Sequence, residues 1–122
     1  MSRSVLVIED EPHIVEAISF ILSRDGWSVR SHGQGHDAVA VVRDHPTDVV
    51  ILDVMLPGRS GYEILQELRA DPSTRDLPIL MLTARGQAKD RDMAARLGAT
   101  RVMTKPFSNT ELLASVRAMV GP

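Results

Sequence analysis

The chain has 122 residues, 43% hydrophobic and 25% charged, the size and balance of one globular domain. Its formal net charge of -2 gives no electrostatic case for binding nucleic acid or a membrane surface, and the lack of cysteine excludes disulfides, thiolate metal sites and thiol catalysis. No apolar run approaches the ~20 residues needed to span a bilayer, and the N-terminus carries no signal-peptide cleavage pattern, so a cytoplasmic protein is expected.

Val5-Leu6-Val7-Ile8 is an uninterrupted apolar run, as in a strand buried on both faces, and it ends in Glu9-Asp10-Glu11. Pro12 suits the first turn of a helix, and Ile14, Ile18, Ile21 and Leu22 follow at helical spacing. Asp25-Gly26 ends that helix, with Gly26 as its C-terminal cap. Trp27-Ser28-Val29-Arg30-Ser31 alternates, which predicts a half-exposed edge strand headed by a packing tryptophan. After the loop Gly33-Gln34-Gly35, residues Ala38, Val41 and Val42 mark one face of a short helix closed by His45-Pro46. Val49-Val50-Ile51-Leu52 is the strongest buried-strand signal; it ends in Asp53, and Met55-Leu56-Pro57-Gly58 leads into a turn.

Ser60 and Glu63 have the spacing of a capping box, and Ile64, Leu65 and Leu68 give the next helix its buried stripe as far as Asp71-Pro72. A third apolar run, Leu77 to Leu82, ends at Thr83. The polar loop Arg85-Gly86-Gln87 leads to a weakly amphipathic helix from Ala88 to Leu97, stopped by Gly98. Arg101-Val102-Met103-Thr104 is a short last strand that ends at Lys105-Pro106. Ser108 and Glu111 repeat the capping-box spacing, and Leu112, Leu113, Val116 and Met119 face the core from the final helix.

Five strands strictly alternating with five helices predict an α/β fold with a parallel sheet covered on both faces. At this length the doubly wound, flavodoxin-like (βα)5 arrangement with strand order 2-1-3-4-5 is the natural choice, and residues 1–122 read as a single domain. Its switch point lies between the first and third strands, whose carboxyl ends carry Glu9-Asp10 and Asp53; ligands bind at that edge in open α/β sheets. Thr83 and Lys105 end the fourth and fifth strands at the same edge. A carboxylate after a strand more often caps a turn than does chemistry, but four polar strand ends converging on one crevice is much harder to obtain by chance. Glu9, Asp10 and Asp53 repel one another unless a cation intervenes, and all-oxygen ligands with room for water suit magnesium. Asp53 is then a candidate nucleophile for an aspartyl phosphate, with the Lys105 ammonium neutralising charge and the Thr83 hydroxyl bonding a phosphoryl oxygen.

The segments Val7-Ile8-Glu9-Asp10-Glu11, Ile51 to Gly58, Leu82-Thr83-Ala84 and Thr104-Lys105-Pro106-Phe107, in this order, resemble the receiver domain of response regulators in two-component signalling, the CheY-like superfamily. The resemblance implies that Asp53 accepts a phosphoryl group from a sensor histidine kinase or a phosphotransfer protein. It implies that Asp10, Asp53 and the Met55 backbone carbonyl bind magnesium directly, with manganese as the alternative, and that Glu9 acts through a water. Thr83, Lys105 and the Ala84 backbone amide would contact the phosphoryl group, and the Lys105-Pro106 bond would be cis. The domain would assist its own phosphorylation and dephosphorylation rather than turn over a separate substrate, and would switch a partner-binding surface.

Two departures stand out. Many receivers carry an aromatic residue three before the lysine, whose rotation reports phosphorylation; this chain has Val102, so Thr83 and Val102 together pose the switch problem. The segment Arg59 to Arg85, with Met55 and Leu56-Pro57-Gly58, resembles receivers of the winged-helix transcription-factor subfamily, which dimerise through the fourth helix, fifth strand and fifth helix. Arg91 and Glu111 are suited to one such ion pair, but Arg101 and Ser115 replace residues of other charge, which weakens the case for a phosphorylation-dependent homodimer. No output domain is expected within residues 1–122, which read either as a single-domain regulator or as a receiver cut from a longer protein. Two rival readings stay open: an unphosphorylated receiver-like interaction module, and a small magnesium phosphohydrolase, against which stands Met55 where the haloacid-dehalogenase type has a second acid. His13, His32, His36 and His45 read as solvated, Gly33-x-Gly35 is too short for a dinucleotide fingerprint, and Lys89-Asp90-Arg91-Asp92 reads as a solvated helix face.

Overall fold

A computed structural model describes residues 3–84 and 87–120; Arg85 and Gly86 of the expected polar loop lie outside the described residues. The elements follow the expected alternation: β1 (Ser4–Ile8), α1 (Pro12–Arg24), β2 (Ser28–His32), α2 (Ala38–Asp44), β3 (Val49–Asp53), α3 (Gly61–Ala70), β4 (Ile79–Thr83), α4 (Ala88–Arg96), β5 (Arg101–Thr104) and α5 (Asn109–Val120). The five strands form one sheet in the order β2-β1-β3-β4-β5, and every pairing is parallel.

The sheet buries two apolar layers. Val5 and Val7, Val49 and Ile51, Leu80 and Leu82, and Met103 pack with Ile18, Ile21, Leu22 and Trp27 and with Leu112 and Val116 of α5. Leu6 and Ile8, Val50 and Leu52, and Ile79 and Met81 pack with Ala38, Val39 and Val42, with Ile64, Leu65 and Leu68, and with Ala94. All five residues of β3 and of β4 are buried, which is why these runs are continuously apolar rather than alternating. Each fully buried Ile, Leu or Val contributes about 1.5–3 kcal/mol.

Local expectations are met with small shifts. Gly26 and Gly98 follow α1 and α4 with φ of 92° and 103°. β2 runs one residue later than the alternation suggests, and Trp27 is buried just ahead of it. On α2 the buried face is Ala38, Val39 and Val42, an i, i+1, i+4 set; Val41 lies at its edge and is only half-buried. The Ser108 box is complete: the Glu111 amide donates to Ser108 Oγ at 3.1 Å and the Ser108 amide to Glu111 Oε1 at 3.5 Å. The Ser60 box is not: Ser60 Oγ accepts from the Tyr62 amide, while Glu63 reaches Arg59 at 3.8 Å.

Candidate functional site

The period of a strand decides which side chains meet at the carboxyl edge. Val5 and Val7, Val49 and Ile51, Leu80 and Leu82, and Met103 share one face of the sheet. Continuing each alternation by one step places Glu9, Asp53 and Lys105 on that same face. The ladder itself extends this far, since the Glu9 amide donates to the His32 carbonyl at 3.0 Å and the Lys105 amide to the Thr83 carbonyl at 2.8 Å. Lys105 Nζ lies 2.8 Å from Glu9 Oε1 and 3.0 Å from Asp53 Oδ1. Thr83 has the opposite parity: it is buried on the side of α3 and α4, the side on which Val102 packs. The Lys105-Pro106 bond is cis.

Glu9 and Asp53 are both 2% exposed, so their charges are taken out of water together. Burial pushes Asp53 up, and although the Lys105 hydrogen bond opposes this, the neighbouring Glu9 charge adds to it; the carboxyl is pushed up to about 6. Burial also acts to raise Glu9, but Lys105 and the Glu11 amide hold it below the usual carboxylate range. Glu9 Oε2 accepts from the Asp10 amide at 3.0 Å and the Glu11 amide at 3.2 Å, so Glu9 is the member of the pair that stays ionised. Lys105, despite burial, is raised by its two carboxylate neighbours.

Removing the cation from this pair has a measurable cost. Lys105→Ala leaves Glu9 and Asp53 facing each other without a counter-charge, which is expected to lower stability by about 3 kcal/mol at pH 7.5. The loss should shrink toward pH 4, where the freed carboxyls take up protons. Urea denaturation at the two pH values checks this; equal midpoints for variant and wild type at pH 7.5 would mean that solvent screens the pair.

Asp10 is exposed and completes an acidic group with Glu9 and Asp53, whose ligand oxygens lie within 4.8 Å of one another. Three hard oxygen donors at that separation fit a small divalent cation that keeps several waters. Beside them the β3–α3 loop, from Val54 to Ser60, forms an open depression with Asp10 and Tyr62, and the Met55 side chain is 73% exposed on it. Ala84 is exposed at the end of β4. Reading the chain residue by residue misses the Lys105–Glu9 pair, although the alternation in β1 and β5 contains it. It also misses His32, which is half-buried with Nε2 2.6 Å from Asp37 Oδ1 rather than solvated.

Comparison with known proteins agrees with this geometry. The profile of the response-regulator receiver domain matches residues 5–117. A chain of Chloroflexus aurantiacus assigned as a response regulator is 32% identical, with 98% of each chain covered and a TM-score of 0.94. The chemotaxis response regulator CheY4 of Vibrio cholerae is 28% identical over 98% of this chain and 99% of its own, with a TM-score of 0.91. The receiver domain of a Pseudomonas aeruginosa sensor histidine kinase, solved with a magnesium ion coordinated in its active-site cleft, is 29% identical over 100% of both chains, with a TM-score of 0.90. With the profile matched over most of the chain and the fold shared with these receivers, this chain belongs to the response-regulator receiver-domain family and is a phosphoacceptor receiver of two-component signalling.

Proposed function

We propose that Asp53 is the phosphoacceptor, and that the donor is a sensor histidine kinase or a phosphotransfer protein. The observation that carries this is a buried carboxylate at the end of a central strand, 3.0 Å from a lysine ammonium and grouped with two further acids. An Asp53 carboxylate oxygen attacks phosphorus as the bond from phosphorus to the donor's nitrogen breaks, giving an aspartyl phosphate and a free imidazole. Lys105 is close enough to Asp53 to follow the developing charge on the phosphoryl oxygens. Thr83 and the Ala84 amide, at the end of the adjacent strand, supply the remaining donors.

Asp10, Asp53 and the Met55 carbonyl would hold magnesium, which when bound supplies charge neutralisation between acceptor and incoming phosphoryl group. Glu9 has its oxygens taken up by Lys105 and two backbone amides, which supports its acting on the metal through a water. The same residues then position water for hydrolysis, so that the chain acts as a timed switch of a partner-binding surface.

Intact mass after incubation with acetyl phosphate, with and without magnesium, tests the reading. The expected result is a gain of one phosphoryl group (~80 Da) only with the metal, mapped to Asp53. No gain in either condition, with a histidine kinase also tried, would leave the unphosphorylated interaction module as the better account.

A further inference from the structure

Between α3 and α4 lies a polar atom that the site described above does not use. Asp90 Oδ2, in the first turn of α4, is buried and among the described residues has no hydrogen-bond partner. Across from it stands Tyr62, the chain's one tyrosine. Its ring is half-buried against the apolar cluster that also takes Val102 and Leu97. Burial raises the phenol above its ordinary range and the Asp90 charge raises it further, which places the two within electrostatic reach and keeps the hydroxyl a donor.

The two residues are tied to different parts of the site. Tyr62 follows Gly61, whose amide donates to the Val54 carbonyl at 2.9 Å, so the base of the ring is fixed to the end of β3. Asp90 follows, along the chain, the end of β4 at Thr83 and Ala84. Its helix is weakly held: Ala94 is the one fully buried residue of α4. The far end is anchored, since Arg69 Nε donates to the Gly98 carbonyl at 2.7 Å; in the first turn Asp90 Oδ2 has no hydrogen-bond partner among the described residues, and the tie to β5 next to it is a single one, from Arg91 Nη2 to Thr104 Oγ1 at 3.3 Å. A helix anchored beyond its C-terminal end, with a buried unpartnered oxygen in its first turn, has a defined direction in which to tilt.

We propose that Tyr62 and Asp90 are positioning residues of the switch: when Thr83 and Ala84 close on the phosphorylated Asp53, the Tyr62 hydroxyl donates to Asp90 Oδ2 and sets the first turn of α4. This rests on the receiver reading and gives it a reporter that needs no aromatic residue at position 102. Position 102 then serves as packing for the helix that moves.

Amide NMR spectra of the full chain, before and during phosphorylation by acetyl phosphate with magnesium, test it against Tyr62→Phe, Asp90→Ala and Asp90→Asn. Tyr62→Phe keeps the ring, and its unphosphorylated spectrum shows whether it folds. Tyr62→Phe and Asp90→Ala are expected to reach wild-type phosphorylation and to keep the shift changes at Asp53 and Lys105. Each should lose at least about half of the changes across α4, and the double variant no more than either alone. Asp90→Asn, which retains an acceptor oxygen, should restore them. Undiminished α4 changes in Tyr62→Phe, or additive losses in the double variant, would overturn the inference while leaving the receiver reading intact. A wild type that takes up no phosphoryl group would overturn both.

Discussion

Asp53→Asn is expected to take up no phosphoryl group and yet, without magnesium, to be the more stable protein above pH 6. The first half follows from chemistry: an amide oxygen is not a nucleophile toward phosphorus, and Glu9, the other carboxylate beside Lys105, has its oxygens engaged by Lys105 and two backbone amides. The second half follows from linkage. Burial and the Glu9 charge push Asp53 up to about 6, above the ~3.9 of an unfolded chain. A carboxyl raised in the folded state stabilises the fold fully below its unfolded pKa, and that contribution is lost as pH rises through the folded value. Wild-type stability should therefore fall between about pH 4 and pH 7 by roughly 2 kcal/mol from this group, and Asn, neutral throughout, removes the fall. Thermal melts should place Asp53→Asn some 5–10 °C above wild type at pH 8, with the two converging near pH 4. Magnesium should close the gap, because only the wild type gains fully from binding it. A variant that melts at or below wild type at pH 8 without metal would show that the two carboxylates do not repel in the folded protein.

That opposition between function and stability also marks where the sequence is legible. The continuous apolar runs of β1, β3 and β4 announce a parallel sheet covered on both faces, and the polar residue ending each run announces the edge where chemistry sits. Glu9, Asp53 and Thr83 stand out in the sequence because polar groups that interrupt such runs are costly to bury without a partner, whereas Lys105 follows the half-exposed β5 and stands out only by its place at the same edge. What escapes inspection of single residues is pairing at a distance. That Glu9 as well as Asp53 faces Lys105 depends on the registers of β1 against β3, β3 against β4 and β4 against β5. That His32 finds Asp37, and that Asp90 turns inward toward α3, depends on side-chain direction at loop and helix ends, where no hydrophobic period operates. The Ser60 motif shows the same limit. Its spacing matches a capping box, but Arg59 competes for Glu63 and the reciprocal half is not made.

Gly61→Ala is expected to damage both stability and phosphorylation, although a helix-propensity scale favours it. Gly61 opens α3 with an ordinary negative φ, so the gain in propensity from alanine would be about 1 kcal/mol. Space reverses the sign. A Cβ at this position would lie 2.1 Å from the Asp53 carbonyl oxygen and 2.9 Å from both the Asp53 carbonyl carbon and Val54 Cα, all backbone atoms that cannot swing away. Either α3 lifts from the sheet, uncovering Ile64 and Leu65, or the end of β3 moves; a net loss of about 3 kcal/mol or more is expected. The second route displaces the carboxylate proposed as the acceptor, and a misplacement of ~1 Å can slow a positioned reaction about a hundredfold. Gly26→Ala is the contrast. There φ is 92° but nothing lies within 4 Å of the added Cβ, so about 1–2 kcal/mol of backbone strain is expected and phosphoryl uptake is spared. Denaturation midpoints and initial rates of acetyl-phosphate labelling for the two variants separate a steric wedge behind Asp53 from a general loss of stability. Equal labelling rates in both, once stability is matched by temperature, would mean that the close approach of α3 to β3 does not position the acceptor.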